Sequence, residues 1–183
     1  TTEGIINEAI EKNCNLIVSF HPIIFSGIKK LTTNSYVEKT VIKAIENKIS
    51  IYSMHTSLDN HNRGVNYKIS EKIGLKNSKI LVSNKENISI GMGRIGELET
   101  PKREKEFLEF IKIQMKTNSI RHSRLLNKKI KRVAVLGGSG SFAIKDSIEQ
   151  KADAYITADL KYHNFFEANE QIVLIDIGHY ESE

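Results

Sequence analysis

The alternation of helical and strand patterns is the feature that most constrains the fold of this chain. Apolar residues recur at helical spacing in segments such as 36–47, and short apolar runs such as 49–54 and 171–176 lie between such segments. Alternation of this kind is typical of α/β proteins built on a parallel or mixed sheet. We therefore predict an α/β fold with a layered mixed sheet flanked by helices.

The pattern also predicts the elements and the domain organisation. Hydrophobic residues make up 39% of the 183 residues, enough for one sizeable core, so we expect a single domain with two similar α/β halves, about 1–98 and 99–183. The predicted helices are 3–12, 36–47, 64–73, 101–116, a segment ending near 150 and a segment through 165–168. The predicted strands are 15–20, 49–54, 79–83, 88–98, 119–125 at a sheet edge, 131–136, 154–157 and 171–176.

Composition narrows the classes of function. Cys14 is the one cysteine, which excludes an internal disulfide framework and a thiolate metal cluster, and we expect it to be an inert core thiol. No apolar run reaches membrane-spanning length, so we expect a cytoplasmic protein without membrane contacts. The net charge is +5, but aromatic residues make up only 7% and do not alternate with the basic clusters, which favours a solvated basic face over nucleic-acid binding.

The two ends of the sequence carry an expectation of their own. The chain begins at Thr1 rather than at a methionine and runs directly into a helical pattern. It stops at Glu183, inside the element that Gly178 begins. We expect one or both native ends to lie outside this sequence.

Four of the predicted strands end in residues that can bind metal ions. These residues are His21, His55 with Asp59, Asp159 with His163, and His179 with Glu183. The carboxyl ends of parallel strands lie at one edge of a sheet, so the side chains can converge there. Imidazole and carboxylate groups are the expected ligands of zinc, manganese or iron. Each histidine alone is more simply explained as a hydrogen-bonded loop residue, but four strand ends with the same pattern favour a metal site.

Two glycine-rich stretches raise the question of phosphate binding. Residues 91–96 match G-x-G-x-x-G but lack the preceding strand and following helix of a dinucleotide site, so we interpret them as a closely approached strand. Residues 137–140 lie between a predicted strand and a predicted helix, where backbone N–H groups can bind an anion. Plain tight connections have the same pattern, and both interpretations stay open.

Six motifs together resemble one protein family. They are Ser19-Phe-His-Pro-Ile-Ile-Phe25, His55-Thr-Ser-Leu-Asp-Asn60, Gly91-Met-Gly-Arg-Ile-Gly-Glu-Leu98, Gly137-Gly-Ser-Gly140, Ile156-Thr-Ala-Asp-Leu-Lys-Tyr-His163 and Asp176 to Glu183. In order and extent they are similar to the NIF-three-like dinuclear-metal-centre family, also described as GTP cyclohydrolase I type 2-like. The resemblance implies a two-layer α/β fold, a homohexameric ring and a pair of divalent metal ions facing its central cavity. Some relatives contain an inserted small domain, for which the residues between Leu81 and Gly91 leave no room here.

The resemblance also implies which residues bind the metals. His21, His179 and Glu183 match the ligands of one ion. Asp59 and again Glu183 match ligands of the other ion, which makes Glu183 the bridge between them. We therefore expect divalent metal ions at a centre formed by these four residues.

Further residues match positions around the metals, and one of them departs from the family pattern. His55 is expected close to the ions, and Asp159 and His163 match a motif that we interpret as site support or substrate contact. Where the family has two adjacent histidines, this chain has Phe20 followed by His21, and a phenyl ring cannot donate a lone pair. The second ion is then held more weakly, with water or His55 completing its shell, or it is absent. We expect one or two ions per chain.

Two functions of different classes follow from the resemblance. The first is a metal-dependent hydrolase of a small, phosphorylated or nucleotide-like molecule, since paired divalent ions activate water and stabilise the charge that develops during attack. The family label implies attack on a purine ring carbon, although no residue here independently indicates guanine recognition. The alternative is a non-enzymatic metal-binding oligomer that serves as a scaffold or regulator. The sequence assigns no catalytic residue and leaves open whether the protein is an enzyme.

Overall fold

A computed structural model describes residues 1–183, which form two compact units. Unit 1 is Thr1–Leu58 and unit 2 is Asp59–Glu183. The boundary falls inside a short helix, α3, which spans His55–Asn60. None of the helices is both long enough and apolar enough to cross a membrane.

Unit 1 contains a two-stranded parallel sheet and two longer helices. Its elements before α3 are α1 (Glu3–Glu11), β1 (Leu16–Ser19), α2 (Tyr36–Glu46) and β2 (Ser50–Ser53). All four lie close to their predicted positions. The side chain of Ser35 accepts a hydrogen bond from the Glu38 amide at 3.2 Å, which caps the first turn of α2 and explains why that helix begins where it does. The buried core of this unit is formed by Ile6, Ala9, Ala44 and Ile49.

The prediction that Cys14 is a core thiol is wrong, because the residue is exposed. Helix α1 ends at Glu11, and Asn13 adopts a left-handed conformation with a φ of 53°. Cys14 follows this left-handed residue at the surface, between α1 and β1. The apolar run that follows Cys14 therefore does not extend the core to the thiol.

Unit 2 is built on a six-stranded mixed sheet with the order β3-β4-β6-β7-β8-β5. Its elements after α3 are α4 (Val65–Lys72), β3 (Lys76–Ser83), β4 (Gly91–Arg103), α5 (Glu104–Met115), β5 (Arg121–His122), β6 (Lys129–Ser139), α6 (Ile144–Glu149), β7 (Ala154–Ala158), β8 (Val173–Asp176) and α7 (His179–Ser182), with 3₁₀ turns at Ser141–Ala143 and Tyr162–Ala168. Strands β6, β7 and β8 are parallel, and the other pairings are antiparallel. The predicted fold class is confirmed, and β5 is the predicted edge strand.

Helices cover both faces of the sheet in unit 2. Alternate residues of β6 point to opposite faces, so that Val133 and Val135 pack with α4 and α5, whereas Ala134 and Leu136 pack with α6. All residues of β7 and β8 are buried, as expected of parallel strands covered on both sides. Burial of each large aliphatic side chain in such a core stabilises the fold by roughly 2 kcal/mol. The strand ends that carry polar residues thus rest on a rigid scaffold.

The prediction that Pro101 begins a helix is wrong. Strand β4 continues to Arg103, where it pairs with Lys129 of β6, and α5 begins at Glu104. Proline has no N–H to donate to a ladder, and Pro101 falls in the irregular stretch between the paired residues Glu97 and Lys102. Strand β4 therefore continues through residue 98 without a break. The division of a single domain into two similar halves near this residue stays a prediction.

The four predicted strand ends do not lie at the edge of one sheet. Strands β1 and β2 pair only with each other, whereas β7 and β8 belong to the six-stranded sheet. Local apolar patterns identify strands but do not determine which strands pair, and this is why the expectation fails. The candidate residues are therefore described as two sets, one in each unit.

Candidate metal centre

His179 lies between two carboxylates at the carboxyl ends of β7 and β8. These strands are parallel, with Thr157 opposite Asp176, so Asp159 and the α7 segment emerge side by side. The Nδ1 atom of His179 is 2.6 Å from Oδ2 of Asp159, and its Nε2 atom is 3.0 Å from Oε2 of Glu183. The second distance joins residues i and i+4 of one helical turn, as predicted for His179 and Glu183.

The pKa of His179 is raised above its ordinary value. Burial is the largest influence and opposes the charged form, but the hydrogen bond to Asp159 and the charges of Glu183 and Asp159 together outweigh it. In the protonated ring both N–H groups donate, one to each carboxylate. The two carboxylates therefore favour the positively charged form of the ring.

The carboxylate of Asp159 is held in its ionised form by its neighbours. The hydroxyl of Ser139, the last residue of β6, donates to Asp159 Oδ2, and this hydrogen bond is the main reason that the pKa of Asp159 is lowered. Burial opposes the shift, and His179 and Arg121 add to it. Asp159 itself has a left-handed backbone with a φ of 56°, which turns its side chain toward His179 directly after β7.

The glycines at 137–140 make room for α7 rather than for a phosphate. A Cβ atom on Gly138 would collide with the Oε1 atom of Glu183, and the Gly138 amide donates to the Ser182 hydroxyl at 2.9 Å. Helix α6, which follows, has only six residues. Because a carboxylate already lies against Gly138, the interpretation of this stretch as a tight connection is the better one.

Replacing Gly138 by alanine tests this close approach. Gly138 has a φ of 68°, so an alanine there costs about 1 kcal/mol of backbone strain. Contact with Glu183 adds about 1 kcal/mol at most, since the end of this flexible side chain can shift aside. Gly74 is a matched control, because its φ is 73° and nothing lies within 4 Å of an added Cβ. We expect Gly138→Ala to lower the free energy of unfolding clearly more than Gly74→Ala in thermal denaturation. Equal losses would contradict an added cost from the contact with Glu183.

Asp59 is buried and is connected through its backbone to the same region of unit 2. The side-chain amide of Asn66 donates to the Asp59 carbonyl at 3.1 Å and accepts from the Gly137 amide at 2.9 Å. Asn66 is only 3% exposed, so this link is a fixed part of the core. It connects α3 to the residue that precedes Gly138.

His21 and His55 lie at the strand ends of unit 1. The parallel pairing of β1 and β2 continues past the strands, since the His55 amide donates to the Phe20 carbonyl at 2.9 Å. The rings of His21 and His55 have centroids 5.5 Å apart, and the ring of Phe20 packs edge-on against His21 at 4.9 Å. The segment from His55 to Asn60, expected as a loop, forms helix α3, which places His55 and Asp59 four residues apart on one helix.

The remaining predicted residue, His163, is exposed in the 3₁₀ turn after β7. Its ring packs edge-on against Tyr162, with centroids 5.3 Å apart. The hydrogen bonds at the site place Asp159, rather than His163, against His179. Asp159 and His163 share one sequence motif, but in the structure they contact different residues.

Three residues at the site were not identified from the sequence. They are Asn66, Ser139 and Ser182, which position Asp59, Asp159 and α7 through the hydrogen bonds described above. Ser182 lies inside the closing motif and Ser139 inside the glycine-rich one, so their proximity to the candidates was a usable signal. Asn66 lies in a helix without any motif, and nothing in the local sequence points to it.

Comparison with known proteins places the chain among relatives of similar fold. A Clostridium acetobutylicum protein named GTP cyclohydrolase 1 type 2 homolog is 38% identical over 184 residues, which cover 100% of this chain and 69% of that protein. A hypothetical protein of Staphylococcus aureus has a crystal structure with a TM-score of 0.89 and 30% identity, covering 99% of this chain and 72% of that chain. A Bacillus cereus protein related to NIF3 has a TM-score of 0.91 over 99% of this chain and 77% of that chain, and its 22% identity supports the fold alone.

The family resemblance drawn from the six motifs is confirmed by the whole length of the chain. Residues 1–183 match the profile of one family, and the similarity to the Clostridium protein covers the same range. The chain belongs to the Duf34/NIF3 (NGG1p interacting factor 3) family.

Proposed function

We propose that this protein binds divalent metal ions through His179 and Glu183 and hydrolyses a small, phosphorylated or nucleotide-like molecule. The observation that carries the proposal is the position of the His179 ring. Asp159 accepts from one ring nitrogen, and the other nitrogen faces Glu183 at 3.0 Å. Metal-binding histidines commonly donate their second N–H to a carboxylate, which fixes the ring and makes the ligand nitrogen more basic.

The donor atoms fit a divalent cation. Nitrogen and oxygen ligands lie about 2.1 Å from zinc, so two of them on one ion are separated by roughly 3 Å. The separation of His179 Nε2 and Glu183 Oε2 is 3.0 Å. Imidazole with carboxylate suits zinc, manganese or iron better than magnesium or calcium. A bound ion of this kind supplies Lewis acidity, which activates water for hydrolysis.

Further ligands are proposed from the family motifs. By the family motif, His21 would add a second imidazole to His179 and Glu183, a ligand set suited to zinc, manganese or iron. Asp59 and Glu183 give the carboxylates of a second ion, with Glu183 shared. His55 is proposed as a neighbour of this second ion. Phe20 leaves that ion short of one ligand, so we propose that it binds more weakly than the first.

The residues of the chain itself have separate roles. Asp159 accepts from Nδ1 of His179 and thereby leaves Nε2 as the nitrogen that would bind the ion beside Glu183. Ser139 keeps Asp159 ionised by donating to it. Gly138 lets the Glu183 side chain lie close to β6. Each of these contacts preorganises a ligand before an ion arrives, which lowers the cost of binding.

Metal affinity is expected to fall as the pH falls. A metal ion needs the neutral imidazole, whereas the raised pKa of His179 favours the protonated ring in the metal-free protein. Protonation therefore competes with the metal below the raised pKa, at a higher pH than for an ordinary histidine, and affinity decreases about tenfold per pH unit there. The charged ring also stabilises the metal-free fold at pH values below the ordinary pKa, and this contribution is lost as the pH rises through the raised pKa.

Calorimetric titration with zinc across this pH range measures the effect. The contribution of His179 to the thermal stability of the metal-free protein is measured over the same pH range. It is expected to fall as the pH rises through the raised pKa of this residue. Metal affinity that stays constant down to pH 5 would contradict the assignment of His179 as a ligand.

The substrate class is proposed from the names of relatives and from charge. The similar Clostridium acetobutylicum protein is named as a GTP cyclohydrolase 1 type 2 homolog, which suggests a nucleotide-like substrate. The net charge of +5 favours an anionic molecule over a cationic one. We therefore propose nucleotides and phosphate esters as the first compounds to test.

A second function is supported by the family description, which refers to an interaction with NGG1p. In this case the protein would be a metal-binding scaffold, assembled as a homohexameric ring. Light scattering on the purified protein measures the predicted assembly. A scaffold requires the metal for assembly or partner binding rather than for turnover.

Turnover by metal-free and metal-loaded protein distinguishes the two functions. The hydrolase proposal predicts that a nucleotide or a phosphate ester is converted only by the loaded protein, and that a chelator abolishes the activity. Full metal occupancy without turnover across a broad panel would overturn the hydrolase and leave the scaffold.

A further inference from the structure

Asp176 is a buried carboxylate at the end of β8 and contacts the two turns that carry Asp159 and His179. Its side chain is only 5% exposed. The Oδ2 atom accepts from the Leu160 amide at 2.9 Å, and the Oδ1 atom accepts from the Gly178 amide at 3.1 Å. Leu160 directly follows Asp159, and Gly178 directly precedes His179. One carboxylate therefore connects the backbones of both turns.

Arg121, in the edge strand β5, completes this connection. Its guanidinium donates to the Asp176 carboxylate and to the Leu160 carbonyl, the latter at 2.7 Å. The guanidinium carbon lies 5.4 Å from the centre of the Phe165 ring, a cation–π contact that fixes the arginine from another side. Leu160 is thus held at its N–H by Asp176 and at its C=O by Arg121.

We propose that Asp176 and Arg121 are positioning residues that set the Asp159 carboxylate against the His179 ring. The inference rests on the proposed metal-binding function, in which this contact orients the ligand nitrogen. The hydrogen bonds of Asp176 and Arg121 do not reach the ligand atoms of His179 or Glu183. Asp176 acts through the backbone of residues 159–160 and 178–179. Arg121 acts through the Leu160 carbonyl and also through its charge, which helps to keep Asp159 ionised.

Asp176→Asn is expected to loosen both turns while keeping the shape of the side chain. An asparagine has one acceptor oxygen and one NH₂ group, so one of the two backbone amides at this position loses its acceptor. A buried amide without a partner is unfavourable, and the turn that carries it shifts or becomes mobile. A residue that orients a metal ligand typically changes metal affinity by roughly 10- to 100-fold.

Glu104→Gln provides a matched control for loss of stability. Glu104 is 6% exposed, and its two carboxylate oxygens accept from the backbone amides of Leu126 at 2.7 Å and Asn127 at 2.9 Å. It therefore resembles Asp176 in burial and in backbone partners. It lies beside the beginning of β6, whereas Ser139, at the site, is the last residue of that strand.

The test compares zinc affinity and thermal stability in the protein and its variants. We expect Asp176→Asn to weaken zinc binding roughly 10- to 100-fold, and Glu104→Gln to lose stability with little change in affinity. Arg121→Gln, which changes a half-exposed side chain and should fold, is expected to show a smaller loss of affinity of the same kind. Equal affinity in all proteins, or an equal loss in Glu104→Gln, would overturn the positioning role.

A measurement on the metal-free protein separates this inference from the proposed function. At one fixed pH, the ¹⁵N chemical shifts of the His179 ring report its hydrogen bond to Asp159. We expect these shifts to change in Asp176→Asn and Arg121→Gln but not in Glu104→Gln. Unchanged shifts would overturn the positioning role, whereas a wild-type protein that binds no zinc would overturn the metal function and leave the shift result standing.

Discussion

Glu183→Gln is expected to produce the largest loss of metal binding of any single substitution at the site. Glu183 is the proposed bridge, and its side chain is 11% exposed and 3.0 Å from His179 Nε2. A glutamine keeps the size of the side chain but removes the negative charge and leaves one weakly binding oxygen. Residues that only support a ligand change affinity by 10- to 100-fold, so removal of a shared ligand should cost roughly 100-fold or more.

Glu181→Gln is the matched control for this substitution. Glu181 lies two residues away in the same short helix, α7, and the change of charge is identical. Zinc titration of both variants separates the loss of a ligand from the loss of one negative charge. Similar affinities in the two variants would contradict the role of Glu183 as a bridging ligand.

Phe20→His is expected to produce the largest gain. The phenyl ring lies 4.9 Å from the His21 ring and 6.3 Å from the His55 ring, at the position where the family motif has a second histidine. An imidazole there adds a lone pair for the second ion. We expect the affinity for the second equivalent of metal to rise roughly 10- to 100-fold, with little change in the first.

Phe25→His controls for the addition of an imidazole to this surface. The Phe25 ring lies 6.0 Å from His55, and the residue is 77% exposed outside the expected ligand position. Titration of metal-free protein with two equivalents of manganese or zinc resolves the two binding steps. An unchanged second step in Phe20→His, or an equal gain in Phe25→His, would show that Phe20 does not occupy a ligand position.

The sequence predicted the elements of the fold better than their pairing. The runs that form β7 and β8 are almost entirely apolar, since both faces are covered, and such runs are recognised without knowledge of their neighbours. The separation of β1 and β2 into their own sheet depends on contacts between residues distant in sequence, which local periodicity does not encode. Helix α3 was missed because six residues without an apolar repeat give no helical signal.

The contact between His179 and Glu183 was predicted from the sequence, whereas most of the residues that position them were not. His179 and Glu183 were found because their spacing within one turn of helix is a local property. Asn66 lies outside every motif, and Asp176 lies inside the closing one, but both act on backbone amides and carbonyls, so the sequence does not reveal which groups they contact. Supports of this kind are visible only once the fold brings the strand ends together.

The metal content of the purified protein tests the central claim most directly. Elemental analysis after loading with zinc, manganese or iron and removal of excess metal gives the number of ions retained per chain. The proposed centre predicts at least one tightly held equivalent in the wild-type protein and its loss in Glu183→Gln. A wild-type protein that retains no metal under these conditions would contradict the assignment of His179 and Glu183 as ligands.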